Sequence, residues 1–175
     1  MDLTGASFLY TLAALMITFA GFSALLLGIR QAAGIQPSPL DRYLAKTALT
    51  QLFTLAAGAL LPPLLSLYGV SETWLWRVSA VVFALPMLSL LLTYPHRRRK
   101  AVGKGPPPIV FAVFVVLGSV ATLAMLAWIL AGLSHQPAVY ISALFINFFT
   151  LAFAFIKALD VIMQENRQTA DEVIE

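Results

Sequence analysis

The stretch IVFAVFVVLGSVATLAMLAWILAGL, residues 109–133, decides the fold, because none of its 25 positions carries a charged side chain. A helix rises about 1.5 Å per residue, so roughly 20 apolar residues span about 30 Å of hydrocarbon. This run is long enough to do so alone. Working outward, four more runs of similar length emerge, at about 7–29, 42–68, 74–94 and 138–163. Polar breaks separate them: residues 30–41 with Gly34, Pro37, Ser38 and Pro39, a helix stop expected at Gly69, and SHQP at 134–137. The segment PHRRRKAVGKGPPP, 95–108, reads as a basic, non-helical linker because of its prolines. The runs are continuous and do not alternate, which excludes strands of a membrane β-barrel. The first run lacks a basic leader and is too long for a cleavable signal peptide.

Composition agrees. Of 175 residues, 60% are hydrophobic and 11% charged, against about 45–50% and about 25% in soluble domains. Eight acids and eleven bases cannot cover the surface of a water-soluble fold of this size. The absence of cysteine removes disulfides, thiolate metal sites and thiol nucleophiles. A net charge of +3 does not point to nucleic acid, since the bases sit between apolar runs rather than along one face.

The fold expected is all-α: a polytopic membrane protein with five transmembrane helices in one domain, residues 1–163, followed by a polar tail, 164–175. Ten of the eleven bases fall on one side: Arg30, Arg42, Lys46, Arg97, Arg98, Arg99, Lys100, Lys104, Lys157 and Arg167. Arg77 alone falls on the other. The positive-inside rule then places the N-terminus outside and the C-terminus in the cytoplasm. Trp74 and Trp76, with Tyr94 at the opposite end of the third helix, read as interface anchors.

Small and hydroxylated residues form stripes. On the first helix Ser7, Thr11, Ala14, Thr18, Gly21 and Gly28 share a face; on the second, Tyr43, Thr47, Thr50, Thr54 and Gly58 do, with Gln51 beside them. Gly118, Ser119 and Thr122 mark the fourth helix, and Asn147, Thr150, Ala154 and Lys157 the fifth. Such faces let helices approach closely, so the plain reading is bundle packing. Gln51 and Asn147 each lie about 14 Å from a helix end, near mid-membrane. An unpaired amide is costly there, so they form either a hydrogen-bonded clamp between helices 2 and 5 or a polar, water-facing layer. Pro86 is expected to break the third helix close to this level.

Candidate pore- or ligand-lining residues are therefore Thr18, Thr50, Gln51, Thr54, Asn147 and Thr150. Arg77, Arg97, Arg98, Arg99, Lys100 and Lys157 are candidates for a mouth or for contact with lipid headgroups. Lys157 can also pair with Asp160 at i,i+3. No mid-depth carboxylate suggests proton coupling. No HExxH, Ser-His-Asp set, phosphate loop or ligand cluster points to catalysis, metal or cofactor, and His96 and His135 fall on opposite sides. No enzyme activity is expected.

FAGFSALLLGIRQ in helix 1, DRYLAKT opening helix 2 and LLTYPHRRRK closing helix 3 make the chain resemble a family of small bacterial integral membrane proteins with no assigned activity. The resemblance implies a bacterial inner-membrane protein and carries no functional residues. Two functions remain open: a homo-oligomeric channel or small-solute transport protein, and a non-transporting structural or assembly subunit of a larger membrane complex. The expected partners are the bilayer, including its anionic lipids, and further copies of the chain.

Overall fold

A computed structural model describes residues 5–32, 34, 36, 38–103 and 105–172, with side chains described as far as 157 except at 26, 27 and 30. Five long helices account for nearly all of it: α1 Ala6–Ala32, α2 Pro39–Leu67, α3 Glu72–Val102, α4 Pro108–Leu130 and α5 Gln136–Glu172. All five are long and apolar enough to cross a membrane, as Ala6–Leu25, Pro39–Leu67, Glu72–Val102, Pro108–Leu130 and Gln136–Lys157. Only 33% to 50% of the most apolar window of each is buried within the protomer. Much of the rest is large apolar side chain facing out, including Leu15, Phe53, Leu85, Leu92 and Phe149. Water would not tolerate that surface; a multi-pass membrane protein requires it.

The local chemistry of the ends explains the helix limits. Pro39 opens α2 at a position where its missing N–H costs nothing. Ser38 and Asp41 then close a capping box: the Asp41 N–H donates to Ser38 Oγ at 3.1 Å, and the Ser38 N–H to Asp41 Oδ2 at 3.0 Å. Gly69 follows the end of α2 with φ +70°, as a helix stop requires.

Two sequence expectations are corrected on α3. The helix runs straight through Pro86 and does not break there. It also continues past Pro95 through HRRRK to Val102, so the basic segment is largely helical rather than a linker. Pro95 removes a single backbone hydrogen bond, and the Arg, Lys and Ala residues after it are good helix formers that do not break the helix further. The helix stops instead at Gly103, whose φ of +76° lets its N–H reach back to the Arg99 carbonyl at 2.8 Å. Helix α4 carries a π-helical stretch, Phe111–Leu117, immediately before Gly118. Helix α5 runs on to Glu172, so the backbone of most of the polar tail is helical.

Helices α2, α3, α4 and α5 form a bundle in which each packs on its neighbours in the ring. Its core includes Leu52, Leu55, Phe83, Met87, Leu91, Phe114, Met125, Ile129, Tyr140 and Leu144, all nearly inaccessible. Helix α1 stands outside this bundle. It lies along α2, touches α5 only slightly, and among the described residues makes no contact with α3 or α4. The face it buries is Leu9, Leu12, Ala13, Met16, Ala20 and Ser23. Phe19 adds edge-on ring contacts to Phe148 and Phe155 of α5, with centroids 5.9 and 5.4 Å away.

Candidate functional site

Two buried amides inside the bundle reach across to neighbouring helices. Asn147 donates its amide to Thr122 Oγ1 at 3.0 Å and to the Ala143 carbonyl at 2.9 Å. Thr122 passes its own hydroxyl to the Gly118 carbonyl at 2.8 Å, and Thr150 to the Asn147 carbonyl at 3.0 Å. Asn147 Oδ1 rests against Gly118 so closely that a Cβ there would stand 3.1 Å away, with Leu91 at 3.2 Å on another side. Gln51 donates to the Met87 sulfur at 3.5 Å, a weak acceptor.

The expected clamp between Gln51 and Asn147 is therefore not formed. Each amide bonds instead to a different helix, Gln51 to α3 and Asn147 to α4. Gln51 Oε1, Asn147 Oδ1, Thr47 Oγ1, Ser79 Oγ and Ser119 Oγ are buried without a hydrogen-bond partner.

A second polar contact was not foreseen from the sequence. Tyr140 of α5 donates its hydroxyl to the Gly58 carbonyl of α2 at 2.8 Å. In an unbroken helix that carbonyl would accept from residue 62, but residue 62 is proline and has no N–H. Gly58 also makes room: a Cβ there would meet Phe83 at 2.6 Å and Leu144 at 3.3 Å. The sequence signal was present in Pro62, which always orphans a carbonyl four residues earlier. Tyr43 likewise donates to the Tyr94 carbonyl at 3.1 Å, which sets the start of α2 beside the end of α3.

The six lining candidates divide. Gln51, Asn147 and Thr150 are buried, Thr54 is half-buried, and Thr18 and Thr50 are exposed. The hydroxyls of Thr18, Thr50 and Thr54 all return to the carbonyl one turn back in their own helices, at 2.7 to 2.9 Å. The structure does not bring the six together around one path through the protomer.

The stripe on α1 gives the sharpest contrast with expectation. Ser7, Thr11, Ala14, Thr18, Gly21 and Gly28 are all exposed, on the side turned away from the bundle. Nothing lies within 4 Å of where a Cβ would stand on Gly21 or Gly28. The packing face is instead the larger apolar stripe of Leu9, Leu12 and Met16. The bundle-packing reading fails for this helix because α1 is peripheral and has a side left over.

The basic candidates separate similarly. Arg98 closes its loop by donating to the Gly105 carbonyl at 2.5 Å, while Arg99 and Lys100 are exposed. Arg97 is half-buried and Lys157 exposed. The expected Lys157–Asp160 pair involves an Asp160 side chain outside the described residues. Arg77 lies 5.8 Å from the Trp74 ring centroid and reaches toward Gly132 at the end of α4. Trp74 is exposed as an anchor should be, but Trp76 and Tyr94 are not anchors. Both are buried in ring clusters, Trp76 with Tyr140 at 5.6 Å and Tyr94 with Phe114 at 4.9 Å, because they face the bundle.

Compared with known proteins, the chain matches no family model, no curated protein and no solved structure.

Proposed function

We propose that this protein is a non-transporting assembly subunit of a bacterial inner membrane, which self-associates through the outward face of α1. One observation carries the reading: a stripe of small and hydroxylated residues, Ser7, Thr11, Ala14, Thr18 and Gly21, resumed at Gly28 after the exposed Leu25, is turned away from its own bundle. Small residues on a membrane helix let a second helix approach closely, and lipid tails gain little from such a groove. The interior lends support, since the amide nitrogens of Gln51 and Asn147 are engaged between neighbouring helices. In this proposal the N-terminus is outside and the C-terminus cytoplasmic, following the bases at 42, 46 and 97–100.

Gly21→Ile tests the proposal cleanly, because the open space at Gly21 admits a large side chain without a clash inside the protomer. The expected result is a protein that still folds, with an unchanged helical spectrum, and a shift from oligomer to monomer in mild detergent. An unchanged oligomer distribution would reject the association face.

A second reading, a homo-oligomeric channel, is favoured by the exposure of Thr18 and Thr50, which could then face a lumen between copies. Gln51, Asn147 and Thr150 would not line that lumen. Ion or solute flux in proteoliposomes that is abolished by Thr50→Leu would establish it; the assembly reading expects no flux.

A further inference from the structure

We propose that the groove between α1 and α2 is a binding site for one anionic phospholipid. Gln31 of α1 and Arg42, Lys46, Leu49, Thr50 and Phe53 of α2 line a groove of about 430 Å³. Apart from the adjacent Leu49 and Thr50, the α2 residues step by three or four positions, so they form one strip along the helix. At about 1.5 Å per residue the strip runs about 16 Å from Arg42 to Phe53. Its chemistry changes along that length. Two cations and an amide stand at the end, and Leu49 and Phe53 lie towards mid-membrane.

That gradient matches the order of a phospholipid, with an anionic headgroup at the interface and an acyl chain below it. Basic pockets between transmembrane helices on one side of a membrane take anionic headgroups in this way. Among the described residues neither Arg42 nor Lys46 makes an ion pair, although both are exposed. The Tyr43–Tyr94 contact sets this end of α2 beside the end of α3, so Arg97 to Lys100 add to the positive potential there. A free inorganic anion would use the two bases and leave the apolar half of the groove without a role; a phospholipid uses both halves. This site is separate from the outward stripe on α1 and does not depend on self-association.

Native mass spectrometry of the delipidated full chain, titrated with dioleoyl phosphatidylglycerol or dioleoyl phosphatidylcholine, tests it. The unaltered protein should take up a first phosphatidylglycerol in preference to phosphatidylcholine. The Arg42→Gln/Lys46→Gln variant should lose that preference by up to about 30-fold, at about 1 kcal/mol per base. The Arg99→Gln/Lys100→Gln variant removes the same charge from the same end, outside the groove, and should retain the preference within about twofold. All four side chains are exposed, so neither variant should fail to fold. Equal uptake of the two lipids, or an equal loss in both variants, would overturn the proposal. So would displacement of the lipid by inorganic phosphate at matching concentration, which would mark a free-anion site. A change in the monomer–dimer ratio of the Arg42/Lys46 variant with lipid preference intact would assign the groove to a second copy instead.

Discussion

The hydroxyl of Tyr140 supplies the hydrogen bond that Pro62 withholds from the Gly58 carbonyl, and it does so across two helices at 2.8 Å. A proline inside a membrane helix leaves a polar group that neither lipid nor the helix can satisfy, so a neighbour must. Here the neighbour is α5, and the repair ties it to α2 in the core of the bundle.

Tyr140→Phe should therefore destabilise the protein by about 1–2 kcal/mol, since it leaves the carbonyl buried and unpaired. In a Pro62→Ala background the helix can offer its own N–H, and the same change should cost clearly less. Unfolding in a denaturing detergent series, run as a four-protein cycle, measures the difference.

The two glycines of opposite surroundings should respond with opposite signs. Gly58→Ala drives a methyl into the Phe83 ring and should cost about 1–3 kcal/mol. Gly21→Ala meets nothing in the protomer and should stabilise the monomer by about 0.5–1 kcal/mol through helix propensity. Thermal unfolding of the two variants under monomerising conditions checks both.

Asn147 should couple energetically to Thr122 and not to Gln51. A cycle of Asn147→Leu with Thr122→Val should show an interaction of about 0.6 kcal/mol, the average for hydrogen bonds between membrane helices. The Gln51→Leu and Asn147→Leu costs should add to within about 0.5 kcal/mol, as for residues sharing no partner.

Five spanning helices could be read from the sequence because length and hydropathy alone fix them, and residues 109–133 needed no context. The path of α3 beyond Tyr94 could not, since Pro95 and a run of arginines look alike in a loop and in a helix that leaves the membrane. Mid-membrane polarity was legible at Gln51 and Asn147, but the pairing was not. Depth says which residues share a level, while azimuth decides which of them meet. The stripe on α1 was visible as a stripe, yet whether it faces the bundle depends on which helix stands at the edge. Nothing in the residues of α1 alone records that.

Single-cysteine cross-linking along α1 tests the association face most directly, because the chain has no cysteine of its own. Cysteines placed one at a time at Thr11, Ala14, Thr18 and Gly21, and at Leu85 and Phe149 on other helices, would be oxidised in native membranes. Covalent dimers at Thr11, Ala14, Thr18 and Gly21, with few at Leu85 or Phe149, are the predicted result. Dimers that form equally at all six positions, or chiefly at Leu85 or Phe149, would contradict it.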